Sequence, residues 1–280
     1  IENTISQIDG MWSFVCYDKR SQTTFVSRDL FGKKPLWQTE INNNFIFSTE
    51  IKSLLSLYPQ LKEINSQVVS NFVEHSLIDI DNQSFFKKIY RFPQNTYAVL
   101  KSNEIKHYNI NKIDNLKNEK PDNINLKNLI DDSIEKELQS DVPIAVSLSG
   151  GLDSSYITKI TNEKKNVKAY TISNEVSNNE INFINDLKKK INLKHEFIDT
   201  SNVESIETID KLINFFDQPF KSSQTIFQYG LRKKISEDGY KVLLTGDGAD
   251  EIFCGYKTLV YPFLSTLLFC FSFLCKETYL

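Results

Sequence analysis

Pro143-Ile144-Ala145-Val146-Ser147-Leu148 runs directly into Ser149-Gly150-Gly151-Leu152-Asp153-Ser154-Ser155, so that an apolar stretch gives way to a turn of small residues. The first six residues predict a short buried strand, and a helix is expected from Asp153. Two glycines let the backbone turn tightly and approach a ligand closely, which exposes successive N–H groups as an anion cradle. The helix behind them aims the positive end of its dipole at the same point, where phosphate oxygens are favoured. Ser149, Ser154 and Ser155 add hydroxyl donors, and Asp153 suits the magnesium ion that accompanies a nucleoside triphosphate. The chain has neither the GxxxxGK[ST] spacing of a Walker A loop nor the GxGxxG of a dinucleotide fold. A plain Ser/Gly helix cap without a ligand is the bland alternative.

Outward from this stretch, strands and helices alternate. Leu126, Leu129, Ile130, Ile134 and Leu138 line one helical face before the strand. After the loop helix come a strand at Lys168–Ile172, a helix at Glu180–Ile191 and a strand at His195–Ile198. Helices through Phe216 and Ile235 and a strand at Lys241–Leu244 complete the pattern. That order predicts a parallel sheet with covering helices, in which ligands bind beyond the carboxyl ends of the strands.

A second loop, Thr245-Gly246-Asp247-Gly248-Ala249-Asp250-Glu251, follows the last of these strands. Its three carboxylates repel one another unless a cation or a cationic substrate group neutralises them. Alone it reads as a solvated acidic turn. Paired with the serine-glycine loop, it reads as the other wall of a site for magnesium and a nucleotide.

The first hundred residues differ in kind. Trp12–Tyr17, Thr24–Ser27, Phe45–Ser48, Lys88–Phe92 and Tyr97–Lys101 are rich in aromatic or β-branched residues and predict short strands, the first two joined by the polar turn Asp18–Gln22. Glu50–Leu57 and Ser66–His75 carry apolar residues at helical spacing. From 107 to 125 the composition turns to Asn, Lys, Asp and Glu, which places a linker there. The expected domains are therefore residues 1–106, mostly β, and 126–280, α/β.

The 280 residues carry a formal net charge of -3, with no basic excess to hold nucleic-acid phosphates, so small-molecule partners are expected. Four scattered cysteines (Cys16, Cys254, Cys270 and Cys275) form no metal or disulfide pattern, which fits a reducing, cytoplasmic compartment. Cys16, inside an apolar strand, is expected to be a small packed hydrophobe. The run 259–275 is apolar but short of the roughly 20 residues a membrane span needs, and reads as a buried helix, with a membrane anchor as the alternative. The start at Ile1 instead of Met suggests a fragment.

The serine-glycine loop resembles that of PP-loop ATP pyrophosphatases, the adenine nucleotide alpha hydrolase-like fold. With Asp141-Val142-Pro143 and the Gly246–Glu251 loop, residues 140 to 257 closely resemble the synthetase domain of asparagine synthetases. Asp9-Gly10-Met11-Trp12, Tyr17-Asp18, Arg28 to Leu36 and Ser48 to Lys52 resemble the later part of a class II glutaminase domain of the Ntn type. The resemblance implies that Leu148, Ile172, Thr245 and Gly246 surround the adenosine, that Asp153 and Asp250 coordinate Mg2+, and that Asp247 faces the amino acid. Asp153 and Asp247 are then the catalytic candidates, Glu251 a further substrate contact, and Ser149, Gly150, Gly151, Ser154 and Ser155 the pyrophosphate grip. Arg28, Asp29 and Gly32 shape a loop or, equally, form an ion pair.

The implied reaction adenylates a carboxylate with ATP, most simply aspartate, and ammonia displaces AMP. In the full-length family, ammonia comes from glutamine, and the resemblance implies a homodimer. The glutaminase nucleophile and the synthetase lysine of that family have no counterpart here, Lys257 lies too near the acidic loop for that role, and Asp217-Gln218-Pro219 and Cys254 depart from the usual pattern. Two alternatives stay open: a catalytically deficient nucleotide-binding segment, and a ligase acting on another carboxylate, including one that closes a β-lactam.

Overall fold

The computed structural model describes residues 2–78, 80–102, 104–110, 125–175, 177–203, 205–253 and 255. A short helix, α1 (Glu2–Ile5), precedes two antiparallel strands, β1 (Ser13–Asp18) and β2 (Thr23–Arg28), which form the hairpin expected from the polar turn between them. β3 (Trp37–Ile41) and β4 (Asn44–Ser48) form a second hairpin. Helices α2 (Ile51–Leu57) and α3 (Ser66–His75) follow, then β5 (Tyr90–Arg91), β6 (Thr96–Lys101) and β7 (Glu104–Asn109). One sheet has the order β1-β2-β6-β7 and the other β4-β3-β5. Trp37, Ile51, Leu54, Leu61 and Ile89 form one core, and Val26, Leu36, Phe92 and Ala98 another.

Two strands lie outside the expected set. Trp37-Gln38-Thr39-Glu40-Ile41 buries Trp37 and Thr39, and the polar Thr39 at its middle inward position weakens the apolar signal of the alternation. β7 enters the polar stretch that begins at His107, because only its inward positions need to be apolar or aromatic: Ile105 packs on the Val26 core and His107 lies against Phe92, with ring centroids 5.6 Å apart. Cys16 sits in a strand as expected but is exposed, which corrects the packed reading; β1 is an outer strand of its sheet.

Beyond residue 125 come α4 (Leu126–Glu137), β8 (Ile144–Ser147), α5 (Leu152–Lys164), β9 (Lys168–Ile172), α6 (Asn178–Ile191) and β10 (Lys194–Ile198). α7 (Ile206–Phe216), α8 (Gln224–Glu237), β11 (Val242–Leu244) and α9 (Ala249–Phe253) complete the order. The sheet runs β10-β9-β8-β11, and every pairing is parallel. Alternation along the strands covers both faces: Ala145, Tyr170, Ile172 and Ile198 pack with Leu231 and Ile235 of α8, whereas Val146 and Ala169 pack with Ile184 of α6. At the amino end of β9, Lys168 donates to Glu196 at 2.6 Å and to Asp238 at 2.7 Å, and the Tyr170 hydroxyl donates to Asp238 at 2.6 Å.

The described residues divide into two compact units. One holds the elements up to β7 together with Ile206–Thr225, and the other holds the parallel sheet and its remaining helices. Within the described residues no helix is long and apolar enough to cross a membrane; the apolar run 259–275, with Cys254 and Lys257, lies outside them.

Candidate functional site

Parallel strands stepping from β8 to β9 to β10 lie on one side of β8, and β11 lies on the other. The chain direction across the sheet thus reverses between β8 and β11, and loops leaving their carboxyl ends diverge to open a crevice. Both small-residue loops leave at this point: Ser149–Gly151 follows β8, and Thr245–Gly248 follows β11.

The first loop turns at Gly150, whose φ of +88° is disfavoured for L side chains. A Cβ there would lie 3.0 Å from Cβ of Glu180, so the turn also lacks room for one. Glu180 is held by a capping box, accepting from the Ser177 amide at 2.6 Å and the Ser177 hydroxyl at 2.7 Å. Those bonds to Ser177 hold its carboxyl below the usual range. The Ser177-Asn178-Asn179-Glu180 spacing is itself a helix-start signal, from which this neighbour of the loop could have been found.

Gly151 caps α5 without any side-chain hydrogen bond. The loop is braced from within: Ser149 N–H donates to Ser154 Oγ at 3.2 Å, the two hydroxyls lie 2.9 Å apart, and Gly151 N–H donates to Ser149 Oγ at 3.3 Å. Ser155 is buried in the first turn of α5, and its Oγ has no partner among the described residues. A buried hydroxyl without a partner is costly in a finished core and suits a helix end that receives an anion.

In the second loop, Gly248 has φ +95°, and the Thr245 hydroxyl donates to Asp247 Oδ2 at 2.8 Å. Asp250 and Glu251 lie in the first turn of α9, with Asp247 and Glu251 exposed and Asp250 half-buried. Gly246 brings the loops together. A Cβ there would sit 3.3 Å from Ser154 N and 3.5 Å from Asp153 Cβ, so its backbone lies against the start of α5.

The side chains of Leu148 and Ile172 point into the two cores and not into the crevice, Leu148 fully buried with Ile184 and Ile172 with Leu231. What these two residues can offer a ligand is therefore backbone. In the first unit, Arg28 donates to the carbonyls of Lys34 at 2.8 Å, Phe92 at 2.7 Å and Gly32 at 2.5 Å. Asp29 accepts from the amides of Phe31, Lys33 and Lys34. Burial opposes the Asp29 charge, but those amides together hold its carboxyl below the usual range. Both residues shape the loop.

Two family models match this chain: asparagine synthase over residues 125–269 and a glutamine amidotransferase domain over residues 2–110. Asparagine synthetase [glutamine-hydrolyzing] 2 of Bacillus subtilis is 29% identical, over 92% of this chain and 38% of its own length. Putative asparagine synthetase [glutamine-hydrolyzing] 2 of Methanocaldococcus jannaschii is 30% identical, over 91% of this chain and 51% of its own. Amidase chyE of Penicillium rubens is 23% identical, over 93% and 42%. The chain thus spans about half or less of the length of these relatives.

Proposed function

The chain belongs to the asparagine synthase family, and on that premise we propose that it carries the ATP-dependent amidation half of a glutamine-hydrolysing ligase, with aspartate as acceptor. The observation that carries this reading is the approach of Gly246 to Asp153 and Ser154. It joins the two loops beyond the carboxyl ends of β8 and β11, at the switch point of the parallel sheet.

In this reading the amides of Ser149–Gly151, the first turn of α5 and the hydroxyls of Ser149, Ser154 and Ser155 take the pyrophosphate end of ATP. Thr245, Gly246 and the backbone at Leu148 and Ile172 border the adenosine. Asp247 and Glu251, exposed at the mouth, face the amino acid. Attack of the aspartate side-chain carboxylate on the α-phosphorus releases pyrophosphate, and ammonia then displaces AMP from the aspartyl adenylate. The chain's share is electrostatic: fixed amides and a helix end meet the charge that builds on the leaving group.

Magnesium fits the residues present. Asp153 and Asp250 are hard oxygen donors in the first turns of α5 and α9, the helices that follow the two loops, and a magnesium ion needs only one or two carboxylates beside the phosphates. When bound, it neutralises charge on the phosphate oxygens. The net charge of -3 supports small-molecule partners over nucleic acid, a cytoplasmic setting suits the cysteine usage, and we assign the full-length form to a homodimer.

The test supplies ammonium directly, so that it does not depend on glutamine. Purified chain with ATP, magnesium, ammonium and aspartate is expected to release pyrophosphate only when aspartate is present, and Asp153→Ala to abolish the release. Release that ignores aspartate, or that survives Asp153→Ala, would overturn the assignment.

A further inference from the structure

Side chains tie three adjacent strands together, at the carboxyl ends of β8 and β9 and near the amino end of β10. Thr171 on β9 is buried, and its hydroxyl donates to the carbonyl of Leu148, the last residue before the serine-glycine loop. The same hydroxyl lies 2.8 Å from Nε2 of His195 on β10. Leu148 is held on its other side by the sheet, its N–H donating to the Tyr170 carbonyl at 2.9 Å.

A hydroxyl has one proton, and here Leu148 takes it. Thr171 Oγ1 can then only accept from the imidazole, which fixes the proton of neutral His195 on Nε2. The opposite tautomer would set two lone pairs face to face. Nδ1 is left as an acceptor, and it is buried with no partner among the described residues. Phe197 confines the ring edge-on, with centroids 4.5 Å apart. Burial, aided by the charge of Lys188, pushes the imidazole down to about 4, so the ring is neutral at ordinary pH.

We propose that His195 and Thr171 are positioning residues for the nucleotide loop: a relay from His195 Nε2–H through the Thr171 hydroxyl to the Leu148 carbonyl sets the direction in which the backbone leaves β8. The cradle at Ser149–Gly151 can meet phosphate oxygens only if its amides point one way. The relay grips the peptide unit immediately before it. Thr171 is buried and His195 reaches Leu148 only through it, so both act through the Leu148 carbonyl. The inference rests on the nucleotide reading of that loop for its purpose, but the relay itself is testable without a nucleotide.

The experiment uses the full chain, four single variants and the double variant Thr171→Val with His195→Leu. Thr171→Val and His195→Leu remove the donors, whereas Thr171→Ser and His195→Gln keep a hydroxyl and an N–H at the same places. Hydrogen exchange of the Ser149–Gly151 amides is read without ligand, magnesium-ATP affinity by calorimetry, and the tautomer of wild-type His195 by nitrogen-15 NMR. Valine and leucine are expected to speed loop exchange and to weaken magnesium-ATP by about three- to tenfold, the worth of one hydrogen bond. Serine and glutamine should stay within about twofold of wild type, and the double variant should be no worse than Thr171→Val alone.

An Nδ1–H tautomer, a His195→Gln loop as fast as that of His195→Leu, or unchanged loop exchange in Thr171→Val would each overturn the relay. If wild type binds no magnesium-ATP, the proposed function fails, and the exchange and tautomer arms still decide the relay. Should His195→Leu not fold, Thr171→Val and the wild-type spectrum carry the decision.

Discussion

Gly246 and Ser154 meet backbone to backbone: a Cβ on the glycine would stand 3.3 Å from the serine amide nitrogen. That amide belongs to the first turn of α5, among the groups a helix leaves without intrahelical partners. An alanine at 246 needs a shift of a few tenths of an ångström, and a valine needs more because its branches spread at Cβ. Gly246→Val is therefore expected to lower magnesium-ATP affinity at least about tenfold while the melting temperature falls little, with Gly246→Ala between valine and wild type. Calorimetry beside a thermal melt checks this. Equal affinities across the three proteins would show that the two loops do not share a ligand.

At Gly150 the constraint is conformational as well as spatial. The φ of +88° is disfavoured for alanine, and the added carbon would meet Glu180 Cβ at 3.0 Å. Gly150→Ala should cost about 1–3 kcal/mol of stability, in the range of backbone strain at a sparsely populated φ. Urea unfolding measures it. In a Glu180→Gly background, which lacks the Cβ in the way, Gly150→Ala should cost less, since the spatial conflict goes and the strain stays. An equal cost in both backgrounds would place the whole loss in the backbone.

The parallel sheet could be read from the chain because its evidence is local. Pro143–Leu148, Lys168–Ile172 and the glycine loops each carry their own signal within a few residues, and the strand alternation is hidden only because both faces are covered. The strand at Trp37–Ile41 was obscured by Thr39, a polar residue at its middle buried position, which leaves only Trp37 and Ile41 as apolar inward residues. The exposure of Cys16 follows from the position of β1 at a sheet margin, which no run of residues encodes. The Thr171–His195 contact needs the order β10-β9-β8, a fact of tertiary pairing separated by 24 residues in sequence. The grouping of α7 with the amino-terminal elements is likewise non-local: its apolar spacing predicts a helix and says nothing of which core receives it.

α7 is followed by a residue that caps a distant helix. Glu50 at the start of α2 makes no side-chain cap, and Asp217 fills that role, its Oδ2 accepting from Lys52 N–H at 2.9 Å and its Oδ1 lying 3.5 Å from Lys52 Nζ. The carboxylate is buried, with 8% of its side chain exposed, and Asp217 has a φ of +59°, which Asn tolerates better than Ala. Asp217→Ala is expected to cost about 1–2 kcal/mol through the lost cap, and Asp217→Asn less, because the amide oxygen still accepts. Equilibrium unfolding in urea gives both numbers. An asparagine variant as unstable as the alanine one would show that the ion pair with Lys52, and not the cap, holds the two segments.

His195 also makes stability depend on pH, with a sign fixed by burial. Its folded value is pushed down to about 4 from an ordinary 6.5, chiefly by burial and then by Lys188, with Glu196 acting weakly the other way. Between those two values the unfolded chain binds a proton that the folded chain does not, so stability rises with pH across this window. The contribution is complete above pH 6.5 and is lost as the pH falls toward 4. At roughly 1.4 kcal/mol per pH unit the upper bound is about 3.5 kcal/mol, and solvent around the half-buried ring brings the change below it. Many carboxylates also titrate there, so the quantity to measure is the stability of wild type minus that of His195→Gln, followed from pH 7.5 to about 4. That difference should fall steadily as acid is added, and a flat difference would mean that the imidazole is as well solvated in the folded chain as in the unfolded one.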